Sequence, residues 1–526
     1  MAQQDWMSDE DLSQRLKGLY DYEQVEVPKI PESERLLGAA EVVTGYTGTQ
    51  ARIEAERCMQ CQDPPCVEAC PAHLDIPGYC EAIAEGDLDR GLEIVMEAFP
   101  IPGSCARVCY HPCTDVCLKG VEGMPIEIPR LRRYITDNAD QHAFDYAIPE
   151  STGKRIAVVG SGPAGLSCAY HLRRHGHHPV VYEQFDKAGG TLNTIPDYRL
   201  PDDVLQDEIE VLREMGVAIR TDAPIAGDGS IDALLNDHDA VFVSVGAVKA
   251  REVPIDGSDL DGVYHGYNLL RRLDAGESLF GRKAAIIGGG DVAMDALRSA
   301  LRTCEEIHLI YRRSPLEMPA NPEEVFEMTE EVIQQGWHHL AVEMSTERRV
   351  ERFKQIFHSL ESLTLDRMEE IEANLTREMK AETFDRLDKR VGPLAVHFMA
   401  NPTRVVDDGQ GRAGGLELVR MELGEPDDDG RRRPVEIAGS EFTLDVDTVV
   451  FAIGQQIDAD WLGDDHGLDL EPDNRISVDE AYRASRAGVY AGGDAMRGPA
   501  SMIEAMGDGR WAAEAIDADL RGTEGA

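Results

Sequence analysis

The sequence predicts an α/β protein in which a helical, cysteine-rich N-terminal domain precedes two doubly wound nucleotide-binding domains. Three observations predict it. Nine of the eleven cysteines lie between Cys58 and Cys117. Two strand–glycine-turn–helix–strand patterns follow, RIAVVGSGPAGLSCAYHLRRHGHHPVVYE from Arg155 and KAAIIGGGDVAMDALRSALRTCEEIHLIYRR from Lys283. The C-terminal region closes on a strand, a Gly-Gly-Asp loop and a helix, VYAGGDAMRGPASMIEAMGDGRWAAEAI. The expected boundaries are 1–150 for the helical domain, 151–275 for the first part of one Rossmann-like domain, and 276–445 for a second such domain. The first domain then returns over 446–526.

The helical domain is irregular and holds the cysteine cluster. Within 276–445, the stretch Glu323 to Lys389 is highly charged, and its middle lacks Gly and Pro. It reads as one or two amphipathic helices, with a helical insertion at about 337–398. GLELVRMELGEPDDDGRRRPVEIAGSEFTL reads as an antiparallel excursion, and TVVFAIG as a buried strand ending in a glycine turn.

At 526 residues the chain exceeds one ordinary core. The net charge is −46, from 98 acidic and 52 basic residues, which argues against a nucleic-acid partner, since that needs a basic footprint. It also disfavours anionic membranes. Such acidity fits either a salt-rich cytoplasm or an ordinary acidic surface carried far. No apolar run is long enough to insert in a membrane, and the first residues lack a secretory pattern, so a cytoplasmic location is expected.

Gly160, Gly162 and Gly165 fit G-x-G-x-x-G directly after an apolar strand, with Pro163 and Ala164 opening the helix. The first glycine permits the turn, the second lets backbone approach a pyrophosphate, and the third lets helix and strand pack closely. Glu183 ends the next strand, where a carboxylate accepts ribose hydroxyls and rejects a 2′-phosphate, as the adenosine half of FAD requires. The second loop, Gly288, Gly289, Gly290, Asp291, Val292 and Ala293, keeps the fingerprint with Ala last. Its next strand ends in Arg312 and Arg313, which suit the 2′-phosphate of NADPH over NADH, or merely solvate a strand end. Gly190, Thr191, Leu192, Gly246, Gly454, Gly493, Asp494 and Ser501 complete the candidate cofactor-binding set.

Cys58-x2-Cys61-x4-Cys66-x3-Cys70-Pro71 is close to a ferredoxin run, and Cys105, Cys109, Cys113 and Cys117 follow at x3 intervals. Eight thiolates suit two [4Fe–4S] cubes. Structural zinc is the alternative, leaving a non-enzymatic zinc- and nucleotide-binding regulator. Cys80 reads as a packing residue, as do Cys168 and Cys304.

CMQCQDPPCVEACPAHLDIPGY, CARVCYHPCTDVC, GGTLNTIPDYRLP, IIGGGDVAMDALRSALR, YRRSPLEMPA and AGGDAMRGPASMIEAMGDGRWAA together resemble the glutamate synthase small (β) subunit family. That family includes the N-terminal part of dihydropyrimidine dehydrogenase and the large subunit of the transhydrogenase that bifurcates electrons to ferredoxin. The resemblance implies one cluster on Cys58, Cys61, Cys66 and Cys117, and another on Cys70, Cys109 and Cys113. In some members the last ligand is a Gln or Glu, matched here by Arg132 in PRLRRY. A guanidinium cannot ligate iron, which leaves Cys105 as the replacement or an altered second cluster. The charged insertion is a second departure, read as a docking element or a solvated decoration.

The function implied is an FAD-dependent NAD(P)H oxidoreductase, with the nicotinamide giving a hydride from C4 to flavin N5 and electrons moving singly through the clusters. No side chain is expected to act as acid or base; the protein orients and tunes. Asp494 is similar to the family's acid near the FAD ribityl and pyrophosphate region. The helix after Pro499 is placed to set its positive end toward the flavin's pyrimidine side. The expected partner is a ferredoxin or a larger catalytic subunit in a hetero-oligomer. The alternative is the glutamate synthase small subunit itself, feeding a large amidotransferase.

Overall fold

The computed structural model describes residues 24–526 except 315–316, 322, 326, 329–330, 332–392, 427–431, 464–465 and 523–526. The chain divides into two units: 1–30, 39–249 and 455–526 form the first, and 31–38 with 250–454 the second.

The first unit opens with helices α1 (Gly48–Glu56), α2 (Ile76–Glu85), α3 (Leu88–Ala98), α4 (Pro102–Val108) and α5 (Ile128–Asn138). Local chemistry sets their ends. Thr47 and Gln50 form a reciprocal capping box on α1, Asp75 and Asp87 cap α2 and α3, and prolines occupy the first turns of α2, α4 and α5. Gly86 ends α2 at φ +80°, a conformation that favours glycine.

The sheet of this unit uses β1 (Arg155–Val159), β2 (His178–Tyr182), β3 (Ala218–Arg220), β4 (Ala240–Val243) and, from the end of the chain, Val489–Ala491. Among the described residues its order is Val489–Ala491, β4, β1, β2, β3, all parallel. The central strand is buried from Ile156 to Val159 and β4 throughout. Each such aliphatic contributes roughly 1.5–3 kcal/mol on burial. Helices α6 (Pro163–Arg174) and α7 (Asp202–Glu214) complete the first half.

One continuous core runs through the cysteine-bearing helices and this sheet. Tyr79, Leu131 and Ile135 belong to it together with Ile156, Leu166, Phe242 and Ile516. The helical N-terminal region and the first nucleotide domain, expected as separate domains, therefore share apolar contacts within one unit.

The second unit has β5 (Val263–His265), α8 (Gly266–Asp274), β6 (Lys283–Ile287), α9 (Asp291–Leu301), β7 (Glu306–Tyr311) and β8 (Leu394–Phe398). The antiparallel excursion expected from the sequence is present as β9 (Ala400–Asp407), β10 (Ala413–Pro426), β11 (Arg432–Glu436) and β12 (Phe442–Leu444). The chain returns as β13 (Thr448–Phe451) and leaves for the first unit, where Val489–Ala491 is β14 and Met502–Arg521 is α10. The second parallel sheet runs β5-β13-β6-β7-β8.

Two expectations are corrected here. Residues 263–274 and 448–451, assigned by sequence to the first nucleotide domain, belong to the second: β5 and β13 pair in parallel with each other, and β13 also pairs with β6. A buried apolar strand carries no mark of which sheet it joins. The expected helical insertion at about 337–398 cannot include Leu394–Phe398, which is a strand paired with Ile307–Tyr311. Its residues 337–392 lie outside the described residues. Residues 323–325 and 327–328, at the start of the charged stretch, are helical.

Candidate flavin, nicotinamide and iron–sulfur sites

In the first glycine loop the structure separates the three glycines by role. Gly160 sits at φ +104°, and a Cβ there would lie 2.4 Å from the Ser244 carbonyl oxygen. A Cβ on Gly165 would lie 2.0 Å from the Gly160 carbonyl oxygen, so the helix lies directly on the turn. A Cβ on Gly162 would meet nothing within 4 Å. The middle glycine thus faces open space at the N-terminus of α6, whose Gly162 cap has no side chain to satisfy the first amides. Those amides suit a pyrophosphate. Pro163 opens the helix and Ala164 is buried.

Glu183 is buried at the end of β2. Its carboxylate accepts from Ser161 N at 3.0 Å, Ser161 Oγ at 2.5 Å and Phe185 N at 3.0 Å. Ser161 Oγ also accepts from Gly189 N at 3.1 Å, which ties the 190s turn to the glycine loop. In that turn, a 3₁₀ helix over Gly190–Thr194, a Cβ on Gly190 would lie 2.7 Å from Gly162 Cα. Thr191 is half-buried and Leu192 buried. Gly246 follows β4 at φ +70° with open surroundings.

The Gly-Gly-Asp loop returns to the same place. A Cβ on Gly493 would lie 2.9 Å from Ala164 Cβ. Asp508, buried on α10, accepts from Gly493 N at 3.0 Å and pairs with Arg497 at 2.5 Å. Burial pushes the Asp494 carboxyl up to about 6, and it accepts from Ala500 N at 3.2 Å. Ser501, expected to touch cofactor, spends its hydroxyl on a capping box with Glu504. A serine before a helix with Glu three residues on is a capping signature first.

Helix α10 carries features that sequence reading missed. A Cβ on Gly509 would lie 2.2 Å from the Ala164 carbonyl oxygen, and one on Gly507 would lie 2.7 Å from the Pro71 carbonyl oxygen. Trp511 Nε1 donates to Pro71 O at 2.9 Å and Arg510 to Ala72 O at 2.5 Å. One helix therefore touches both the glycine-loop helix and the residue after Cys70.

The eight candidate ligands fall into two groups by position and burial. Cys58, Cys61, Cys66 and Cys117 are half-buried and line one cavity. Cys70, Cys105, Cys109 and Cys113 are buried. Cys105, Cys109 and Cys113 lie within electrostatic reach of the Arg132 guanidinium, and Cys70 within reach of Cys105 and Cys113. A hydrogen bond from the Cys105 thiol draws Cys109 down to about 6, with Arg132 adding to the pull. Cys80 is fully buried, as expected of a packing residue, but it also lines the first cavity and its thiol donates to Cys58. Among the described residues no three His, Cys, Asp or Glu side chains converge as around a single ion. A cube spreads its four thiolates more widely than one zinc ion does. The first cavity is lined mainly by apolar side chains, and two of them, Met59 and Leu118, are exposed.

In the second unit Gly288 sits at φ +147°, with a Cβ there 2.3 Å from Ala452 O. Gly290 caps α9 with only Pro319 near, at 3.8 Å, and no side chain closes the helix end. Asp291 accepts from Asn321 N at 2.8 Å, and Val292 packs against Gly266. Arg312 is exposed at the end of β7. Arg313 departs from its expected role: it is buried, and its Nε donates to Arg432 O at 3.1 Å. Adjacent residues leave a strand on opposite faces, so one of two neighbouring arginines turns inward. Gly454, at φ +105°, follows β13 with Arg251 at 3.7 Å.

A family model described as pyridine nucleotide-disulphide oxidoreductase matches residues 154–377 and 355–509. The chain belongs to that family. A second model, described as dihydropyrimidine dehydrogenase domain II, 4Fe-4S cluster, matches residues 35–144 of the chain. The match, rather than the thiol geometry, decides for iron–sulfur over zinc. The chain is 36% identical over 487 residues to the NADP(+)-dependent formate dehydrogenase subunit beta of Moorella thermoacetica. That alignment covers 87% of this chain and spans 60% of the relative. It is 29% identical over 528 residues to the glutamate synthase [NADPH] small chain of Escherichia coli, covering 96% and 99%. Mycobacterium tuberculosis FprA in complex with NADPH shares the fold, with a TM-score of 0.51 at 17% identity over 70% of this chain and 85% of that one. The oxidoreductase is thus similar along its length to a glutamate synthase small chain, and FAD and 4Fe–4S clusters are its redox groups. No helix among the described residues is long and apolar enough to cross a membrane.

Proposed function

We propose that this oxidoreductase moves electrons between NADPH and a redox partner protein through FAD and two [4Fe–4S] clusters. One observation carries the reading: α10 joins the flavin-type glycine loop at Ala164 to the cysteine region at Pro71, the residue after Cys70 of the buried thiol set. When bound, FAD exchanges a hydride with the nicotinamide and single electrons with the clusters.

The chain's own residues hold and orient these groups. The α6 amides take the pyrophosphate opposite Gly162, Glu183 takes the adenosine ribose, and Gly190, Gly246 and Asp494 border the remainder. Cys58, Cys61, Cys66 and Cys117 hold the outer cluster; Cys70, Cys105, Cys109 and Cys113 hold the inner. In the second unit the α9 amides at Gly290 take the nicotinamide dinucleotide's phosphates, and Arg312 takes the 2′-phosphate. Exposed apolar residues beside the outer thiols support a partner protein there, in keeping with relatives named as subunits.

The test is an anaerobic visible spectrum with iron, sulfide and flavin quantified, followed by NADPH and NADH in separate cuvettes. One flavin with about eight irons, bleached faster by NADPH, is expected. Half that iron removes the inner cluster from the scheme, and equal bleaching removes the role of Arg312. Glutamate synthase small-chain function, favoured by end-to-end similarity to the Escherichia coli protein, predicts co-purification with a large amidotransferase.

A further inference from the structure

Arg132 lies on α5 with 3% of its surface exposed. Its neighbour Arg133 is paired with Asp137, Glu41 and the Val43 carbonyl. Among the described residues no carboxylate pairs with Arg132. The titratable groups that act on it are the thiols of Cys105, Cys109 and Cys113 and the Tyr79 hydroxyl, and Cys109 accepts a hydrogen bond from it. Its guanidinium carbon stands 4.8 Å over the Phe99 ring, which fixes the plane. Its Nε and Nη2 are buried and meet no hydrogen-bond acceptor among the described residues.

A buried cation with unmet donors is costly unless an anion faces it. A cube on four thiolates is such an anion, with sulfide and thiolate sulfurs as acceptors, and reduction adds one more negative charge. We infer that Arg132 donates hydrogen bonds to the sulfur shell of the inner cluster and raises that cluster's reduction potential. The inference rests on the proposed inner ligand set. Hydrogen bonds to cluster sulfurs and local charge are two of the levers that set such potentials. Both act here on one cluster: three of the four inner thiols, Cys105, Cys109 and Cys113, act on the guanidinium, whereas none of the four outer thiols is among the groups named above. Arg132 is thus a positioning and tuning residue, not a ligand.

The test uses full-length Arg132→Met and Arg132→Lys, reconstituted anaerobically, with iron and flavin counted. Each is titrated redox-wise under EPR, and its reduced state is examined by pulsed EPR in deuterated water. Wild type is expected to show exchangeable deuterons coupled to the inner cluster. Arg132→Met loses that coupling, and its inner midpoint moves negative while the outer midpoint and the flavin stay put. Arg132→Lys falls between. Loss of inner-cluster iron alone in both variants, with flavin and outer cluster kept, also supports the role. A variant that keeps its iron, its midpoint and its deuteron coupling overturns it. Cys105→Ser tests the ligand set separately: an unchanged EPR signal and full iron sink Cys105 as ligand, while the deuteron coupling still reports on Arg132.

Discussion

Glu208, on α7, closes the N-terminus of α4, the helix that carries Cys105. Its carboxylate accepts from Gly103 N at 2.5 Å, Ser104 N at 3.0 Å and Ser104 Oγ at 2.6 Å. Burial nonetheless pushes it up to about 7 against those bonds. The folded chain then keeps a proton that the unfolded chain, near the ordinary Glu value of about 4.3, has lost. Stability tied to this proton is complete below that ordinary value and is lost as pH rises through about 7. Glu208→Gln is expected to flatten the fall of Tm between roughly pH 4.5 and 7; an unchanged slope in thermal melts counts against it. The two strand-end arginines differ in the same concrete way. Arg312→Ser should raise KM for NADPH while leaving KM for NADH, by about tenfold if one 2′-phosphate contact of about 1.4 kcal/mol is lost. Arg313→Ser should instead lower Tm, because its guanidinium holds the Arg432 carbonyl. Equal effects of both substitutions on NADPH would return Arg313 to the nucleotide. The glycines at 160, 162 and 165 and the acid at 183 were legible because turn, approach and packing each demand a residue type at a fixed offset. Glu208 and the inward turn of Arg313 were not, since each depends on a partner distant in sequence.

At the scale of elements, α10 and α9 carry the sharpest expectations. Gly509→Ala drives a Cβ to 2.2 Å from the Ala164 carbonyl oxygen. Overpacking of this kind costs about 1–3 kcal/mol. Flavin fluorescence should therefore be released at a lower temperature than in wild type, while Gly38→Ala, where a Cβ meets nothing within 4 Å, serves as the silent control. On α9, Arg298 is fully buried and reaches Glu324 at 2.8 Å, Glu327 at 3.0 Å and Glu331 at 2.8 Å. Arg298→Ala strands three carboxylates and is expected to cost about 3–5 kcal/mol in denaturant unfolding; a change below 1 kcal/mol (about a fivefold shift in the equilibrium) would mean those acids find protons or water instead. Helices α6 and α9 were readable from glycine spacing and period. Strand β8 was hidden by the charged stretch before it, and β13 by having no feature that names its sheet.

For the molecule as a whole, the excess of 46 negative charges dominates. Like charges held close together on a folded chain oppose folding, and salt screens them over about 10 Å at 0.1 M. Tm should climb steadily as monovalent salt is raised from millimolar to molar levels. A flat profile would mean that local ion pairs already cancel the repulsion. The split of the eight thiols into a buried and a half-exposed group was also invisible to spacing, since Cys117 follows Cys113 at the same interval as its predecessors yet shares the half-exposed group with Cys58, Cys61 and Cys66; only the family resemblance implied it.

The seam at Gly507 and Trp511, where a C-terminal helix grips the backbone beside Cys70, has a consequence for assembly of the living protein. A helix made more than four hundred residues after Cys70 supplies part of the wall beside it. Iron delivered to a nascent chain before that helix emerges would meet a half-built wall, so cluster insertion at Cys70 is expected to follow synthesis of the helix.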